Sequence, residues 1–237
     1  MGDDILAEDF IARRNAARTR LEEMKSQFEQ EGDEGDPTYV RRYSTAYELA
    51  EDDPAKIPWA RLAPNPLLEE WIAKQQQSLH GAHILDVGCG LGDNAEAFAA
   101  VGARVTAFDC AERAVQWAKK RFPNSQVAYR SADLLKAPSE WRGAFDLVHE
   151  CYTLQGLPEK FHAEMATALA SLVAPGGRLL VITSARSDDE PIVTPWRPLT
   201  RTDITRLAVD GLEIESIEDF PPFHQAPRHW RVVLRRA

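Results

Sequence analysis

Short apolar runs alternate with helical patterns from residue 83 to the C-terminus. In the segments between the runs, apolar positions recur every three or four residues, as on one face of a helix. The apolar runs predict seven strands, at residues 83–87, 104–108, 126–129, 145–149, 177–183, 212–217 and 230–234. The segments between them predict helices at residues 95–101, 111–121, 159–173 and 202–209. This alternation is typical of a doubly wound α/β fold, a mostly parallel sheet with helices on both faces.

The last two predicted strands are joined too closely for a helical crossover. Their connection contains Pro221, Pro222 and Pro227. Parallel neighbours need a crossover of about a dozen residues or more, usually a helix, so we expect the last strand to be antiparallel.

The chain before residue 83 follows a different pattern. Residues 4–31 carry a thin apolar stripe among many charges, which predicts one polar helix, and residues 67–79 predict a second helix. The resulting division is a helical acidic arm at residues 1–36, an aromatic lead-in segment with a cap helix at residues 37–80, and a core at residues 81–237. We expect the arm to dock on the core, to join two copies in a homodimer, or to stay partly mobile.

Composition and charge narrow the classes of partner. The chain has 237 residues, 44% of them apolar, which suits a single core. The formal net charge of -9 argues against a nucleic-acid partner. No apolar run reaches the roughly 20 residues that span a bilayer, and the acidic start does not resemble a secretory leader, so we expect a cytoplasmic protein without a membrane partner.

Two groups of residues could point to another kind of partner or to a metal site, but neither does. A C-terminal arginine cluster is made of Arg228, Arg231, Arg235 and Arg236. Its simplest interpretation is a solvated strand end. The three cysteines are Cys89, Cys110 and Cys151. They are few and include no C-x-x-C pair, so we expect small buried residues, no disulfide framework and no metal site.

The most specific motif lies at the end of the first predicted strand. Residues 84–92 read Ile-Leu-Asp-Val-Gly-Cys-Gly-Leu-Gly, so a strand passes through a glycine-rich turn into a helix. Glycines permit the backbone angles of such a turn and the close approach of a ligand. In a doubly wound sheet the turn lies at the carboxyl edge, where ligands bind. A dinucleotide site needs G-x-G-x-x-G, and Asp93, at the last position, would repel a pyrophosphate.

Three acidic residues occupy the ends of the next predicted strands. Asp109 ends the second strand, Asp133 follows the third and Glu150 ends the fourth. Because these ends share one edge of the sheet, we expect the acids near the glycine turn, with Asp109 placed to bind ribose hydroxyls. Each acid also has a local interpretation, which is a helix N-cap for Asp109, a loop acid for Asp133 and a surface carboxylate for Glu150.

The order Asp-x-Gly-x-Gly-x-Gly, from Asp86 to Gly92, resembles motif I of the S-adenosylmethionine-dependent methyltransferases. Residues 175–179 match the turn before the fifth strand in many class I members of that superfamily. Residues 57–59, 65–68 and 194–200 are similar to segments of small-molecule enzymes related to thiopurine and tellurite-resistance methyltransferases. The resemblance runs from about residue 58 to the C-terminus, and the acidic arm departs from it. It implies a Rossmann-like, seven-stranded sheet with an antiparallel last strand.

The resemblance also implies a set of cofactor-binding residues. They would hold S-adenosylmethionine before the transfer and S-adenosylhomocysteine after it. The residues are Asp86, Gly88, Cys89, Gly90, Gly92, Asp109, Cys110, Asp133, Leu134, Glu150 and Trp59. In the family, the acid at the position of Asp133 accepts from the adenine amino group, and residues near the position of Glu150 face the methionine moiety and the acceptor.

Methyl transfer is an in-line displacement at an activated methyl group, so the protein mainly positions the acceptor and excludes water. Aromatic faces suit a sulfonium and an apolar acceptor, and the expected acceptor-binding residues are Tyr39, Tyr43, Tyr152 and Trp196. If the acceptor must lose a proton, Glu150 is the expected catalytic base. His149 would point to the opposite face of the strand, and His224 and His229 are weaker alternatives. A thiol or another soft nucleophile would need no base.

Other functions fit parts of the sequence. A protein methyltransferase could dock its partner on the arm or on the basic last strand, and a non-catalytic relative would bind an adenosyl ligand without turnover. A nicotinamide-dependent oxidoreductase would need the dinucleotide glycine spacing, which is absent. The fourth strand ends without an Asn-Pro-Pro-Tyr type of motif, and with the acidic balance this favours a small-molecule acceptor.

Overall fold

The computed structural model describes residues 2–24, 38–192, 197–222 and 227–237. Within these residues the strands are β1 His83–Val87, β2 Arg104–Asp109, β3 Ala128–Ser131, β4 Phe145–Cys151, β5 Val173–Ser184, β6 Leu212–Phe220 and β7 His229–Arg236. They form one sheet in the order β3-β2-β1-β4-β5-β7-β6. β1 to β5 pair in parallel, and β7 runs antiparallel to β5 and β6. The predicted Rossmann-like, mostly parallel sheet with an antiparallel last strand is confirmed.

Helices cover both faces of this sheet. The α-helices in the described residues are α1 Gly2–Glu23, α2 Thr38–Leu49, α3 Pro66–Leu79, α4 Asp93–Ala100, α5 Glu112–Arg121, α6 His162–Leu172 and α7 Arg201–Thr205. Along β1, Leu85 packs into the core on the α6 side, whereas Ile84 packs with Phe98 of α4 on the other side. The alternation follows the two-residue period of a strand. It therefore decides which residues at the strand ends can meet.

Two predicted helices are shorter in the structure. The one expected at residues 159–173 begins at His162, because Pro158 precedes a single 3-10 turn at Glu159–Phe161. The one expected at residues 202–209 is α7, which Thr200 caps in a capping box with Asp203. Neither difference changes the position of the carboxyl ends of β1, β2 or β4.

The described part of the arm docks on the segment that follows it in the same chain. Leu21 of α1 is buried against Ala46 of α2. Arg13 pairs with Asp53 at 2.8 Å, and Arg14 donates to the carbonyl of Ala60. The rest of the predicted arm, residues 25–36, lies outside the described residues. These contacts hold α1 next to α2, which in turn covers one edge of the sheet.

The C-terminal arginine cluster is not simply a solvated strand end. Arg231 is 1% exposed, and its guanidinium donates two hydrogen bonds of 2.7 Å to Glu218 on β6. Arg228 pairs with Asp219, also on β6. The interpretation is therefore wrong for Arg231, because a buried guanidinium needs a carboxylate partner.

Three further observations concern membrane spans, cysteines and metal sites. None of the helices in the described ranges is long and apolar enough to cross a membrane. All three cysteines are free. Among the residues that the structure describes, no group of three or more His, Cys, Asp or Glu side chains could hold a metal ion.

Candidate active site

The glycine turn between β1 and α4 presents its backbone at the carboxyl edge of the sheet. Gly88 and Gly90 have left-handed φ angles of 65° and 53°. A Cβ atom on Gly90 would lie 3.1 Å from the hydroxyl of Tyr47, and one on Gly88 would overlap the side chain of Thr153. Both the backbone angle and the close neighbours therefore require glycine at these two positions.

Asp109 ties the end of β2 to this turn. Its Oδ2 accepts from the backbone N–H of Gly90 at 3.0 Å, and its Oδ1 accepts from that of Ala111 at 2.9 Å. Burial raises the pKa of Asp109 to about 6, against the lowering effect of these two hydrogen bonds. The side chain thus links the glycine turn to the residue before α5. It is not the N-cap of that helix, as one interpretation expected, because the N-cap is Ala111.

Asp86 forms a hydrogen-bond contact that the sequence does not reveal. β1 and β4 are neighbours, and Asp86 Oδ1 lies 2.7 Å from Nδ1 of His149. The ring of Phe98 packs edge-on against the imidazole, with centroids 5.2 Å apart. Asp86 Oδ2 is buried and has no hydrogen-bond partner among the described residues. His149 is therefore committed to Asp86, on the α4 side of the sheet.

Glu150 points to the other side of β4, as predicted from the alternation of a strand. It is 0% exposed, and its Oε2 accepts from the backbone N–H groups of Thr153 and Leu154 at 2.9 and 3.2 Å. Burial raises its pKa to about 7 even though these two hydrogen bonds lower it. Its Oε1 is buried without a hydrogen-bond partner in the part of the chain that the structure describes. Glu150 is thus not a surface carboxylate.

Asp133 lies after β3, and its Oδ1 accepts two hydrogen bonds. One comes from the backbone N–H of Leu135 at 3.1 Å, within the 3-10 turn Leu134–Lys136, and one from the hydroxyl of Tyr39 at 2.7 Å. Burial, and then the contact with Asp133, raises the pKa of Tyr39. Leu134 itself is buried in the core on the α6 side.

α2 carries an aromatic face across this edge of the sheet. Tyr39, Tyr43 and Tyr47 are four residues apart, so their side chains share that face. The Tyr43 hydroxyl donates to the carbonyl of Gly156 at 2.9 Å. Trp59 packs edge-on against Tyr43 and Tyr47, and its Nε1 donates to the Tyr47 hydroxyl at 2.9 Å. Trp59 therefore supports α2 from the side, and Tyr47 is the residue beside the glycine turn.

Tyr152 follows β4 in a left-handed conformation, with φ 63°. Its hydroxyl lies 2.9 Å from Nε2 of His229, the first residue of β7, and receives a 3.0 Å hydrogen bond from Nδ2 of Asn65. This cluster lies at the carboxyl ends of β4 and β5. Sequence reasoning missed Asn65, although Asn before Pro66 is a helix N-cap signal.

The remaining predicted site residues divide into two groups. Burial, and next a neighbouring carboxylate in each case, raises the pKa of the thiols of Cys89, Cys110 and Cys151. Protonated thiols are poor nucleophiles. Cys89 is buried, as expected, whereas Cys110 and Cys151 are only partly buried. Trp196 and His224 lie outside the described residues.

The residues at the edge fit a ligand with positive charge and no phosphate. The glycine turn presents backbone without Cβ atoms, and the unpartnered oxygens of Asp86 and Glu150 are buried carboxylate atoms. Such atoms are costly unless a donor or a cation reaches them. S-adenosylmethionine carries an ammonium and a sulfonium, so its chemistry suits this set of acceptors.

The sheet order and the glycine turn are those of a class I methyltransferase fold, and part of this chain matches a methyltransferase domain. Residues 84–177 match the family described as "Methyltransferase domain". The matched segment includes the glycine turn, Asp109, Asp133 and Glu150.

Individual relatives match this chain in sequence or in fold. "Ubiquinone biosynthesis O-methyltransferase" of Bordetella avium (strain 197N) is 37% identical over 127 residues, which cover 53% of this chain and 52% of the relative. The chain thus spans about half the length of the curated relatives it matches. N-methyltransferase NodS from Bradyrhizobium japonicum WM9, solved with S-adenosyl-l-homocysteine, has a TM-score of 0.62 at 21% identity, covering 82% of this chain and 97% of that one. Burkholderia thailandensis 1,6-didemethyltoxoflavin-N1-methyltransferase has a TM-score of 0.64 at 15% identity, covering 84% and 87%. These two solved structures resemble this chain in fold.

Proposed function

We propose that this chain transfers a methyl group from S-adenosylmethionine to an oxygen atom of a small-molecule acceptor. The observation that carries the proposal is the set of buried carboxylates around the glycine turn, with unpartnered oxygens on Asp86 and Glu150. The O-methyltransferase from Bordetella avium, 37% identical over the shared region, supports oxygen as the accepting atom. The solved N-methyltransferases are more distant in sequence.

The cofactor-binding roles follow from where each group lies along the edge. Asp109, at the end of β2, would accept from the ribose hydroxyls, and Asp133, after β3, from the adenine amino group, displacing or sharing the hydroxyl of Tyr39. Asp86, on the α4 side, and Glu150, on the other side, would contribute negative charge near the cationic end from opposite faces of the sheet. The turn residues Gly88, Cys89, Gly90 and Gly92, with Cys110, Leu134 and Trp59, complete the proposed set.

When bound, the cofactor supplies a methyl group that is already activated on sulfur. The work left to the protein is to align the acceptor with the methyl group and to exclude water. We assign the exclusion of water to α2, whose Tyr39 and Tyr43 bond to groups on either side of the turn. Glu150 holds the segment after β4 by two backbone hydrogen bonds and keeps Oε1 free to stabilise positive charge. Tyr43 and Tyr152 are the proposed acceptor contacts.

The first test is calorimetric titration with S-adenosylmethionine and S-adenosylhomocysteine, with NAD as the control ligand. We expect both adenosyl ligands to bind and NAD to give no heat of binding. Methyl transfer to phenols, amines and thiols is then compared by mass spectrometry, and products methylated on oxygen are expected. Failure of both adenosyl ligands to bind would overturn the proposal. Products methylated only on sulfur or nitrogen would leave the cofactor assignment and overturn the choice of oxygen.

A further inference from the structure

The carboxyl end of β4 and the amino end of β7 bring two proton-carrying side chains together on either side of β5. Cys151 pairs with Ile182 of β5, and on the other side of β5 His229 pairs with Ser184. Tyr152 is the next residue after β4, and its left-handed φ of 63° is one that tyrosine rarely adopts. Such strain persists only where the surroundings hold it, and it is common at functional sites.

The direction of the hydrogen bonds at the Tyr152 hydroxyl can be assigned from Asn65. Oδ1 of Asn65 accepts from the backbone N–H of Leu67, as the N-cap of α3, so its Nδ2 must face Tyr152. Nδ2 can only donate, and the Tyr152 oxygen therefore accepts from it. The Tyr152 proton is then free to be donated to Nε2 of His229, 2.9 Å away. One lone pair of the Tyr152 oxygen remains for another donor.

His229 can receive a proton in this arrangement. It is half-buried, and its ring lies against that of Tyr152, with centroids 5.7 Å apart. Burial lowers its pKa, a hydrogen bond with the backbone of Pro227 opposes this, and the positive charge of Arg61 adds to the lowering. Near neutral pH the imidazole is therefore uncharged and able to act as an acceptor.

We propose that Tyr152 and His229 form a proton relay that deprotonates a hydroxyl acceptor during methyl transfer. The inference rests on the proposed function and specifies how the acceptor is activated. The acceptor O–H donates to the free lone pair of Tyr152, and the Tyr152 proton passes to Nε2 of His229. The acceptor oxygen forms its bond to the methyl carbon as the carbon–sulfur bond breaks, with both electrons of that bond going to sulfur. His229 then releases the proton to water.

Charged and titratable groups surround His229 on several elements. Arg61 comes from the segment before α3, and its charge acts on both His229 and Tyr152. The thiol of Cys151 precedes Tyr152 on β4 and accepts from Asn65. On β6, Asp219 is neutralised by Arg228 in an ion pair. Arg61 is the cation among these groups that would stabilise the negative charge that develops on the acceptor oxygen.

The relay predicts how the rate depends on pH. Only uncharged His229 accepts a proton, so kcat should rise with pH through the pKa of His229 and be level above it. Because that pKa is lowered, the rise should lie below the ordinary histidine value of about 6.5. In the H229Q variant the rise should disappear, since glutamine accepts the hydrogen bond of Tyr152 without taking its proton.

The test uses the full chain and two probes, catechol and 4-nitrocatechol. H229Q and Y152F should each lower kcat for catechol by about 100-fold or more, the usual size of a general-base effect. The loss should be much smaller for 4-nitrocatechol, which is already ionised near neutral pH and needs no base. His83 is exposed at the opposite end of the sheet, so H83Q should retain the wild-type rate and pH profile. A merely structural role for Tyr152 or His229 would reduce turnover of both probes equally.

Calorimetry with S-adenosylhomocysteine separates the possible failures. If the wild type does not bind this ligand, the proposed function itself is overturned. If it binds the ligand and methylates thiophenol but neither catechol, the relay is overturned, because a thiolate needs no base. The relay is also overturned if H229Q and Y152F bind the ligand and keep the wild-type rate with catechol. Should either variant fail to bind the ligand, the wild type decides the question: a pH profile for catechol without a rise below pH 6.5 would overturn the relay.

Discussion

Asp109 and Glu150 flank the end of β1, one on each neighbouring strand. Both are buried and both hold their protons more firmly than usual, with pKa values of about 6 and about 7. The backbone hydrogen bonds that they accept oppose this effect without cancelling it. Buried carboxylates of this kind lower the stability of the free protein, and perturbed pKa values of this kind cluster at functional sites.

The raised pKa of Glu150 should appear in the pH dependence of the free energy of unfolding. Its pKa is about 4.5 in the unfolded chain and about 7 in the folded one, so the unfolded state ionises first as pH rises. Its contribution to stability is fully present below pH 4.5 and is lost as pH rises to about 7. The loss is on the order of 3 kcal/mol. E150Q should not lose this stability. Its free energy of unfolding relative to that of the wild type should therefore increase from pH 4.5 to about pH 7.

Urea unfolding of the ligand-free protein at several pH values measures this difference. Glu213 on β6 is exposed, and E213Q serves as the control variant. The assignment fails if the difference between E150Q and wild type is the same at pH 4.5 and pH 7.5.

Asp109 should matter for affinity. Replacing it with alanine removes the proposed ribose acceptor and the link to the glycine turn, so binding of S-adenosylhomocysteine should weaken by about 1 to 3 kcal/mol. Calorimetry measures the change, and D210A, at a turn before β6, is the control. An unchanged dissociation constant for D109A would show that the carboxylate is purely structural.

At the scale of residues, the sequence predicted which positions lie at the edge but not what they contact. Asp86, Asp109 and Glu150 could be placed because strand ends are visible in the hydrophobic pattern. The contact between Asp86 and His149 could not, because it depends on which strands are neighbours and in what register. The meeting of Tyr152 with His229 depends in the same way on the strand order around β5.

At the scale of elements, α2 is the main feature that the sequence analysis missed. Its apolar positions are tyrosines among charged residues, so the hydrophobic pattern is weak although the four-residue spacing is helical. The strands were easier to predict, because a buried parallel strand is a continuous apolar run. The omission matters for function, since α2 covers the proposed cofactor site.

A ligand beneath α2 should slow the opening of that helix. Saturation with S-adenosylhomocysteine should therefore slow amide hydrogen exchange in residues 38–49, by up to about 100-fold at a ligand concentration of 100 Kd if exchange needs an open site. Hydrogen-exchange mass spectrometry measures this. α7, which follows the bridge between Ala185 and Leu199, serves as the reference and should change little. Equal protection in α2 and α7 would mean that α2 is not a cover for the site.

At the scale of the whole molecule, the arm contacts α2, and α2 contacts the sheet. α1 packs on α2 and on the segment around Asp53, and α2 contacts the carboxyl edge through its tyrosines. A homodimer formed through the arm stays a prediction. It would have to use the outward side of α1, where Ile11 is 43% exposed. A concentration-dependent mass in the wild type that I11E abolishes would support it.

These contacts predict that a substitution in α1, away from the site, weakens the binding of S-adenosylhomocysteine. Leu21 is 4% exposed and touches α2 rather than the site, so L21A should loosen α1 from α2 and thereby the cover over the glycine turn. We expect the dissociation constant of S-adenosylhomocysteine to rise by about two- to thirtyfold, the range of ordinary long-range coupling. Leu207, after α7, is also 4% exposed, and L207A should lower the melting temperature without changing the affinity. If both variants bind as the wild type does, the arm contributes to stability alone. If both lose affinity equally, the loss reflects general destabilisation and not the path through α2.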